Sequence, residues 1–429
     1  MALSKQPYKG ARDFYPEDKR VQKYMFGVWR SVAESFGYEE YDAPILEPLE
    51  IYTAKTGEEI VNEQTYSFKD RGGRQVVIRP EMTPTVSRMV AGKRQELGYP
   101  LRWYSIPNLW RYERPQRGRL REHWQLNIDI FGVEDISAEK ELLHLIDRIF
   151  KAFGAKPSMY EIRLNNRELI DFVLGKEVGL SEKSAYKVSK LIDRYAKMSK
   201  TEFITAVDEV LTDKEKQSGA TEKLMAFLAV DDIKKLPESV KSTDGYNQIA
   251  DVLSSLKTSG IKNARFDPTL MRGFDYYTGL VFEVYDMDPE NSRSMLGGGR
   301  YDGLVGLFGV QSAPTVGFGW GDVTLENFLR NHKLINDIKS ETDIYIARAG
   351  DIDVQTVADS LRDAGLNVAV DLSNKKLGDQ IKTALKKQIK YALVVGENEL
   401  KAGKFQLKDL GANATNDLSL DQIVKAIKK

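Results

Sequence analysis

Apolar residues along the chain follow three different spacings, and each spacing predicts a different kind of element. Residues 18–36 (DKRVQKYMFGVWRSVAESF) place them three and four apart, which predicts an amphipathic helix stopped by Gly37. The next stretch, YEEYDAPILEP, is extended and interrupted by Pro44 and Pro48. RQVVIRP (74–80) and LRWYSIPNLWRYE (101–113) are rich in aromatic and branched residues and predict strands. The helical period returns over 137–153 and is followed by a short strand, MYEIRL. Residues 166–257 are Lys-, Glu- and Ser-rich, helical in period and free of glycine motifs, which predicts a helical insertion. Strand character resumes at 281–286, followed by a glycine-dense stretch from 297 to 321 and a polar linker at 331–342. The last 90 residues alternate strand and helix (DIYIARA, VQTVADSLRDAG, LNVAVD, LGDQIKTALKKQIK, YALVVG), predicting a small α/β domain with a mostly parallel sheet.

Composition narrows the chemistry. The chain has 429 residues, enough for two or three domains. Its 63 basic and 63 acidic residues cancel, so net charge says nothing about nucleic acid; only local clustering can. Cysteine is absent, which excludes disulfides, thiolate zinc sites and a cysteine nucleophile. Three histidines (His123, His144, His332) do not suggest a metal centre, and none is expected. The N-terminus has no apolar run of signal-peptide length, and no 18-residue apolar stretch occurs, so a cytoplasmic protein with no membrane span is expected.

One segment stands out. Residues 102–121, within RWYSIPNLWRYERPQRGRLREHWQ, hold six arginines against the single acid Glu113. An isolated arginine there would be a solvated loop residue, but six in twenty repel one another unless an anion is expected. Arginine suits phosphate because its planar fork donates paired hydrogen bonds and keeps its charge. A second cluster, LMRGFDYYTGLVFEVYD (270–286), sets Arg272, Tyr276 and Tyr277 just before a strand. A third, GGGRYDGLVGLFG with APTVGFGWGD, offers glycines for close backbone approach or for tight turns, without the spacing of a P-loop or dinucleotide fingerprint.

Taken together, these segments resemble class II aminoacyl-tRNA synthetases, and within them the histidyl type. KGARDFYPED looks like the opening motif of that family, and FGYEEYDAPILEP resembles the motif that builds the dimer interface of the class. VIRPEMTPTVSRMV is similar to its amino-acid loop, RYERPQRGRLREHWQ to its ATP- and acceptor-binding hairpin, and RGFDYYTGLVFE to a motif peculiar to histidyl enzymes. The tail from Gln380 to Leu410 looks like their anticodon-binding domain.

The resemblance implies an α+β catalytic domain over 1–335, an antiparallel sheet with helices carrying the insertion at about 166–257, and an α/β anticodon-binding domain over 340–429. It implies the substrates L-histidine, ATP with Mg²⁺, and tRNA(His), in a homodimer. Arg111 and Arg272 would be catalytic, flanking the histidine carboxylate and the α-phosphate. Glu81, Met82, Thr83, Arg111, Gln125, Asp129, Arg272, Tyr276 and Tyr277 would bind histidine. Arg111, Glu113 and Arg121 would bind ATP, and Arg114, Gln116, Arg117, Lys382 and Lys386 would contact tRNA. In one place the sequence departs from the pattern: Thr324 stands where the last class motif carries an arginine for the γ-phosphate, with Arg293, Arg300 and Arg330 nearby in sequence as replacements. That departure keeps open an alternative, a non-catalytic regulatory paralogue that binds histidine. A synthetase for proline or threonine fails at RGFDYY and at Asp129.

Overall fold

A computed structural model describes residues 3–53, 64–271, 276–291, 293–335, 338–373 and 375–428. Contacts divide the chain into two compact units, one of Met1–Asp13 and Tyr24–Ile335, the other of Phe14–Lys23 and Asn336–Lys429.

The larger unit is built on a mixed, mainly antiparallel sheet. Its strands run in the order Glu39–Glu40, Leu101–Ser105, Glu122–Phe131, Thr315–Gly321, Ser294–Arg300, Leu280–Asp286, Tyr160–Asn166 and Ala264–Phe266. Only the two outermost pairings are parallel. Side chains of a strand alternate between faces, so odd and even positions of Glu122–Phe131 have different fates. Leu126, Ile128 and Ile130 are fully buried on the face covered by helices. There Trp320 packs against Trp29 of helix Pro16–Ser35 and Phe150 of helix Ser137–Ala152, with ring centroids 6.1 and 4.6 Å apart. Phe328 of helix Asp322–Asn331 meets Phe150 edge-on at 5.2 Å. Gln125, Asn127 and Asp129 point to the opposite face, beside Gly317 and Gly319 of the neighbouring strand. Over the middle of these strands that face carries polar groups and glycines, while Phe131 and Leu101 at its end pack under Val86 and Val90 of the helix Thr83–Gly92.

The same parity puts Arg300 on the helix face. Its guanidinium meets Glu139 in a two-pronged pair at 2.6 and 2.8 Å, and also donates to the Val133 and Asp135 carbonyls. Both side chains are buried. The short strands Leu46–Pro48, Gln75–Ile78 and Tyr66–Lys69 form a separate sheet leading to helix Thr83–Gly92. Between Arg167 and Thr258 the chain is a succession of helices and turns, as the helical period predicts.

In the smaller unit the sheet order is Val368–Val370, Ile344–Ala349, Tyr391–Gly396, Phe405–Asp409, Ala414–Leu418. The first two pairings are parallel and the last two antiparallel, so the expectation of a mostly parallel sheet is corrected to an evenly mixed one. The reason is length: the connections 397–404 and 410–413 are too short for a full crossover helix, and such short links join antiparallel neighbours. Helices Gln355–Asp363 and Leu420–Ile427 cover one face through Leu361 and Ile423, while Ala384 of helix Leu377–Lys386 packs against Tyr345 on the other. The first turns of helix Pro16–Ser35 group with this unit through Arg20, which donates to the Ile338 carbonyl at 2.9 Å.

Removing one partner of the buried Arg300–Glu139 pair should strand a charge. Glu139→Ala is expected to cost about 3–5 kcal/mol in urea unfolding; a loss under about 1 kcal/mol would show the pair to be dispensable.

Candidate active site

The polar face of the sheet forms the floor of a cleft. Strands Glu122–Phe131 and Thr315–Gly321 lie side by side, and the second contributes almost no side-chain volume to this face. A Cβ at Gly319 would sit 2.8 Å from the Gln125 amide, and one at Gly317 would sit 2.6 Å from the Ile128 carbonyl and against the Asp129 carboxylate. Glycine is required at both places because the Gln125 and Asp129 side chains and the Ile128 carbonyl of the neighbouring strand occupy the space a Cβ would need.

One part of the cleft is a cavity of about 100 Å³. Glu81 and Thr83, which enter helix Thr83–Gly92, line one side, while Gln125 and Asn127 rise from the floor. Tyr276, Tyr277 and Tyr301 make an aromatic wall, with neighbouring centroids 4.9 and 5.6 Å apart. The Tyr276 hydroxyl donates to the Glu81 carboxylate at 3.2 Å, and Glu81 is buried. Asp129 lies one layer behind this wall, where the Tyr301 hydroxyl donates to its carboxylate. Burial pushes the Asp129 carboxyl up to about 7, against the lowering effect of that hydrogen bond. The cavity thus has a buried carboxylate on one flank and a second behind its wall. That suits a ligand carrying an ammonium and a ring N–H.

The second part, about 240 Å³, shares Arg111, Gln125, Gly297 and Gly319 with the first. Glu113, Arg119, His123, Glu283 and Thr324 line it. Arg111 borders both cavities, its Nε fixed by the Pro80 carbonyl at 2.8 Å. Burial, then the nearby Arg111, Arg12 and Arg119, push His123 down to about 3, so it is a neutral imidazole in the cavity wall. A cavity bordered by two arginines and polar backbone can take an anionic, polyphosphate-bearing ligand.

Most of the predicted histidine-site residues are brought together here: Glu81, Thr83, Arg111, Gln125, Tyr276 and Tyr277 line the first cavity, with Asp129 behind it. Met82 is fully buried and does not line it. Arg272 lies outside the described residues. Glu113 lines the second cavity, but Arg121 does not: its guanidinium turns to the Tyr112 ring, 4.0 Å from the centroid, and donates to the Tyr8 hydroxyl at 3.0 Å. Arg119, two residues earlier, lines the cavity instead.

Arg300, offered as a stand-in for the missing arginine at Thr324, is excluded by its burial against Glu139 on the other face of the sheet. Arg330 pairs with Glu326 at 2.7 Å, and Arg293 donates to Gln116 at the hairpin tip at 2.9 Å. Thr324 lines the cavity with its hydroxyl turned to the Met295 and Gly321 carbonyls. Arg114 and Arg117 are exposed on the hairpin, and Lys382 and Lys386 are exposed on helix Leu377–Lys386 of the smaller unit. Sequence reasoning missed Arg119, His123, Glu283 and Tyr301. Glu283 was reachable, since strand alternation from Val281 puts it on the cleft face.

The family model for histidyl-tRNA synthetase matches residues 10–321, and that for an anticodon binding domain matches 346–429. The chain belongs to the histidyl-tRNA synthetase family. A histidine–tRNA ligase of Leptospira biflexa is 43% identical to it, over all of this chain and 98% of that protein. One from Thermoplasma volcanium is 37% identical over 98% of each. The crystal structure of histidyl-tRNA synthetase from Nostoc sp. PCC 7120 superposes with a TM-score of 0.83 at 23% identity, covering 100% of this chain and 99% of that one, which shows a shared fold. As in that family, the chain combines an α+β catalytic body with a C-terminal anticodon-binding domain.

Asp129 carries a testable sign. Its folded pKa of about 7 lies above the ordinary carboxylate value, so its contribution to stability is present at low pH and lost as pH rises through 7. Asp129→Asn does not titrate. It should stabilise the ligand-free protein at pH 8 by up to about 4 kcal/mol and change little at pH 4. An equal effect at both pH values in urea unfolding would contradict this.

Proposed function

We propose that this chain activates L-histidine with ATP and transfers the histidyl group to the 3′ end of tRNA(His). The observation that carries this reading is the pair of joined cavities bordered by one arginine, Arg111. The histidine carboxylate attacks the α-phosphorus, the bond to the pyrophosphate oxygen breaks, and pyrophosphate leaves. A carboxylate is already ionised at pH 7, so this step needs no general base; it needs alignment and charge stabilisation. Arg111 stands where carboxylate and α-phosphate meet. Arg272, in the motif RGFDYYTG, is proposed as the second fixed cation there. Glu81 takes the ammonium, and Asp129 and Tyr277 serve the imidazole nitrogens.

Glu113 and Glu283 are the carboxylates lining the larger cavity among the described residues. One or two carboxylates plus substrate phosphates is how Mg²⁺ is usually held, so they fit the ion that accompanies ATP. Bound there, Mg²⁺ would neutralise charge on the outer phosphates. Arg119, ion-paired with Glu113 at 3.2 Å, supports the same reading, because it sets a cation beside that carboxylate in the cavity that Thr324 also lines.

The exposed arginines of the hairpin and the lysines of helix Leu377–Lys386 suit tRNA phosphates. Together with full-length similarity to ligases, they weigh against a regulator that binds histidine alone. No helix among the described residues is long and apolar enough to cross a membrane. The reading places the enzyme in the cytoplasm as a homodimer. The two-residue edge strand Glu39–Glu40, exposed at the end of the main sheet, is part of the segment expected to meet its two-fold mate.

Histidine-dependent exchange of pyrophosphate into ATP tests the function directly; a protein that binds histidine but shows no exchange would be a regulator. In an active protein, Arg272→Ala should lower exchange by roughly 10²–10³-fold without unfolding the chain. Near-normal exchange would remove Arg272 from the mechanism. Lys382→Ala with Lys386→Ala should leave exchange intact, weaken tRNA charging and flatten its salt dependence. An unchanged salt slope would separate that helix from the RNA.

A further inference from the structure

The three arginines near Thr324 in sequence differ in what balances their charge. Arg300 is buried against Glu139, and Arg330 pairs with Glu326 at 2.7 Å. Arg293 is exposed and pairs with no carboxylate among the described residues; its Nη2 donates to the neutral side chain of Gln116 at 2.9 Å. Gln116 belongs to the tip of the hairpin, where its backbone N–H and carbonyl exchange hydrogen bonds with Arg119 at 2.9 Å each.

That contact ties the tip to the rim of the larger cavity. Gly118 and Arg119 of the tip line the cavity, and so do Ser294 and Met295, which follow Arg293 in the strand Ser294–Arg300. On the other side of the turn, Arg117 donates to Asn331 at 3.4 Å and lies 4.0 Å from Glu290. Gly118 itself rests over Thr324, and a Cβ there would lie 3.8 Å from the threonine methyl. The short side chain at 324 leaves room for the tip, while a guanidinium enters from the next strand instead.

The position along the cavity decides which part of ATP this cation meets. Gly297 borders both cavities and marks the Arg111 end, where the synthetase reading sets the α-phosphate. Arg293 lies back along the same chain segment, roughly 13 Å from Gly297 at the usual rise of an extended strand. Arg119, also at the tip, is ion-paired with Glu113 at 3.2 Å, so part of its charge is already balanced. Arg293 has only an amide, and exchanging that amide for phosphate oxygens gains charge-assisted, two-pronged hydrogen bonds.

We propose that Arg293 binds the outer phosphates of ATP, and the pyrophosphate formed from them, by passing from Gln116 to the phosphate oxygens. The proposal rests on the synthetase reading above.

The test is histidine-dependent pyrophosphate exchange by the full-length protein, with AMP added as a competing ligand. Arg293→Ala should raise the KM for ATP and for pyrophosphate by roughly ten- to a hundredfold, the usual worth of a hydrogen bond to a charged group. The KM for histidine and the inhibition constant of AMP, which lacks the outer phosphates, should stay near their wild-type values. Arg293→Lys keeps the charge without the planar fork and should recover part of the loss. An unchanged KM for ATP would overturn the proposal. Equal weakening of AMP and ATP would overturn it too, showing that Arg293 props the hairpin or meets the base. Lysine no better than alanine would remove the charge from the explanation and the proposal with it. Wild-type protein without any exchange would instead overturn the synthetase reading, and the role of Arg293 with it.

Discussion

Strand alternation in one sheet is the constraint on which the rest of the molecule depends. Because successive residues of Glu122–Phe131 face opposite ways, a single segment holds the core together with Leu126, Ile128 and Ile130 and equips the cleft with Gln125, Asn127 and Asp129. The adjacent strand repeats the division in a more extreme form, with the fully buried Trp320 on one face and nothing larger than hydrogen at Gly317 and Gly319 on the other. A shift of one residue in that pairing would turn Trp320 into the cleft and carry the glycines to the helix face. The aromatic contacts of Trp29, Phe150 and Trp320 therefore hold the site in register as well as stabilising the unit.

The site itself costs stability. Asp129 is buried without a cationic partner among the described residues, and burial raises its carboxyl to about 7 against the lowering effect of the Tyr301 hydroxyl. Arg300 and Glu139, buried under the same sheet, show the contrasting arrangement, a matched pair with further carbonyl partners. Arg300 and Glu139 are satisfied within the chain, whereas Asp129 has the Tyr301 hydroxyl as its one side-chain hydrogen-bond partner among the described residues.

Much of this was legible in the sequence, because local pattern and local structure agree. The helix expected over 18–36 runs from Pro16 to Ser35, and the arginine-rich hairpin is a hairpin. Most of the residues expected around histidine line one cavity; the resemblance of their motifs to a known family named them, and of these Gln125 lies on a strand and Thr83 at a helix start, while Glu81, Arg111, Tyr276 and Tyr277 lie in connecting segments. What was not legible depends on long-range placement. Nothing local says that Arg300 pairs with Glu139 across 161 residues, or that Arg121 is drawn from the nucleotide by Tyr8, 113 residues earlier. The glycine stretch at 297–321 was ambiguous between turns and close approach; its strands show glycines used for approach, which only the neighbouring Gln125 and Asp129 reveal. The mixed sheet of the smaller unit was misread because the alternation of strand and helix was extended past the point where connections become short.

The position of Arg111 has a consequence for how the two small substrates influence each other. One guanidinium borders both cavities, so in the function proposed above the charge that attracts a carboxylate in one is the charge that attracts a phosphate in the other. Occupancy of either half changes the potential felt in its neighbour. By thermodynamic linkage, whatever factor ATP imposes on the affinity for histidine, histidine imposes on ATP. The two halves cannot be tuned independently. A compound that fills only one of them will bind with a strength set partly by what occupies the other.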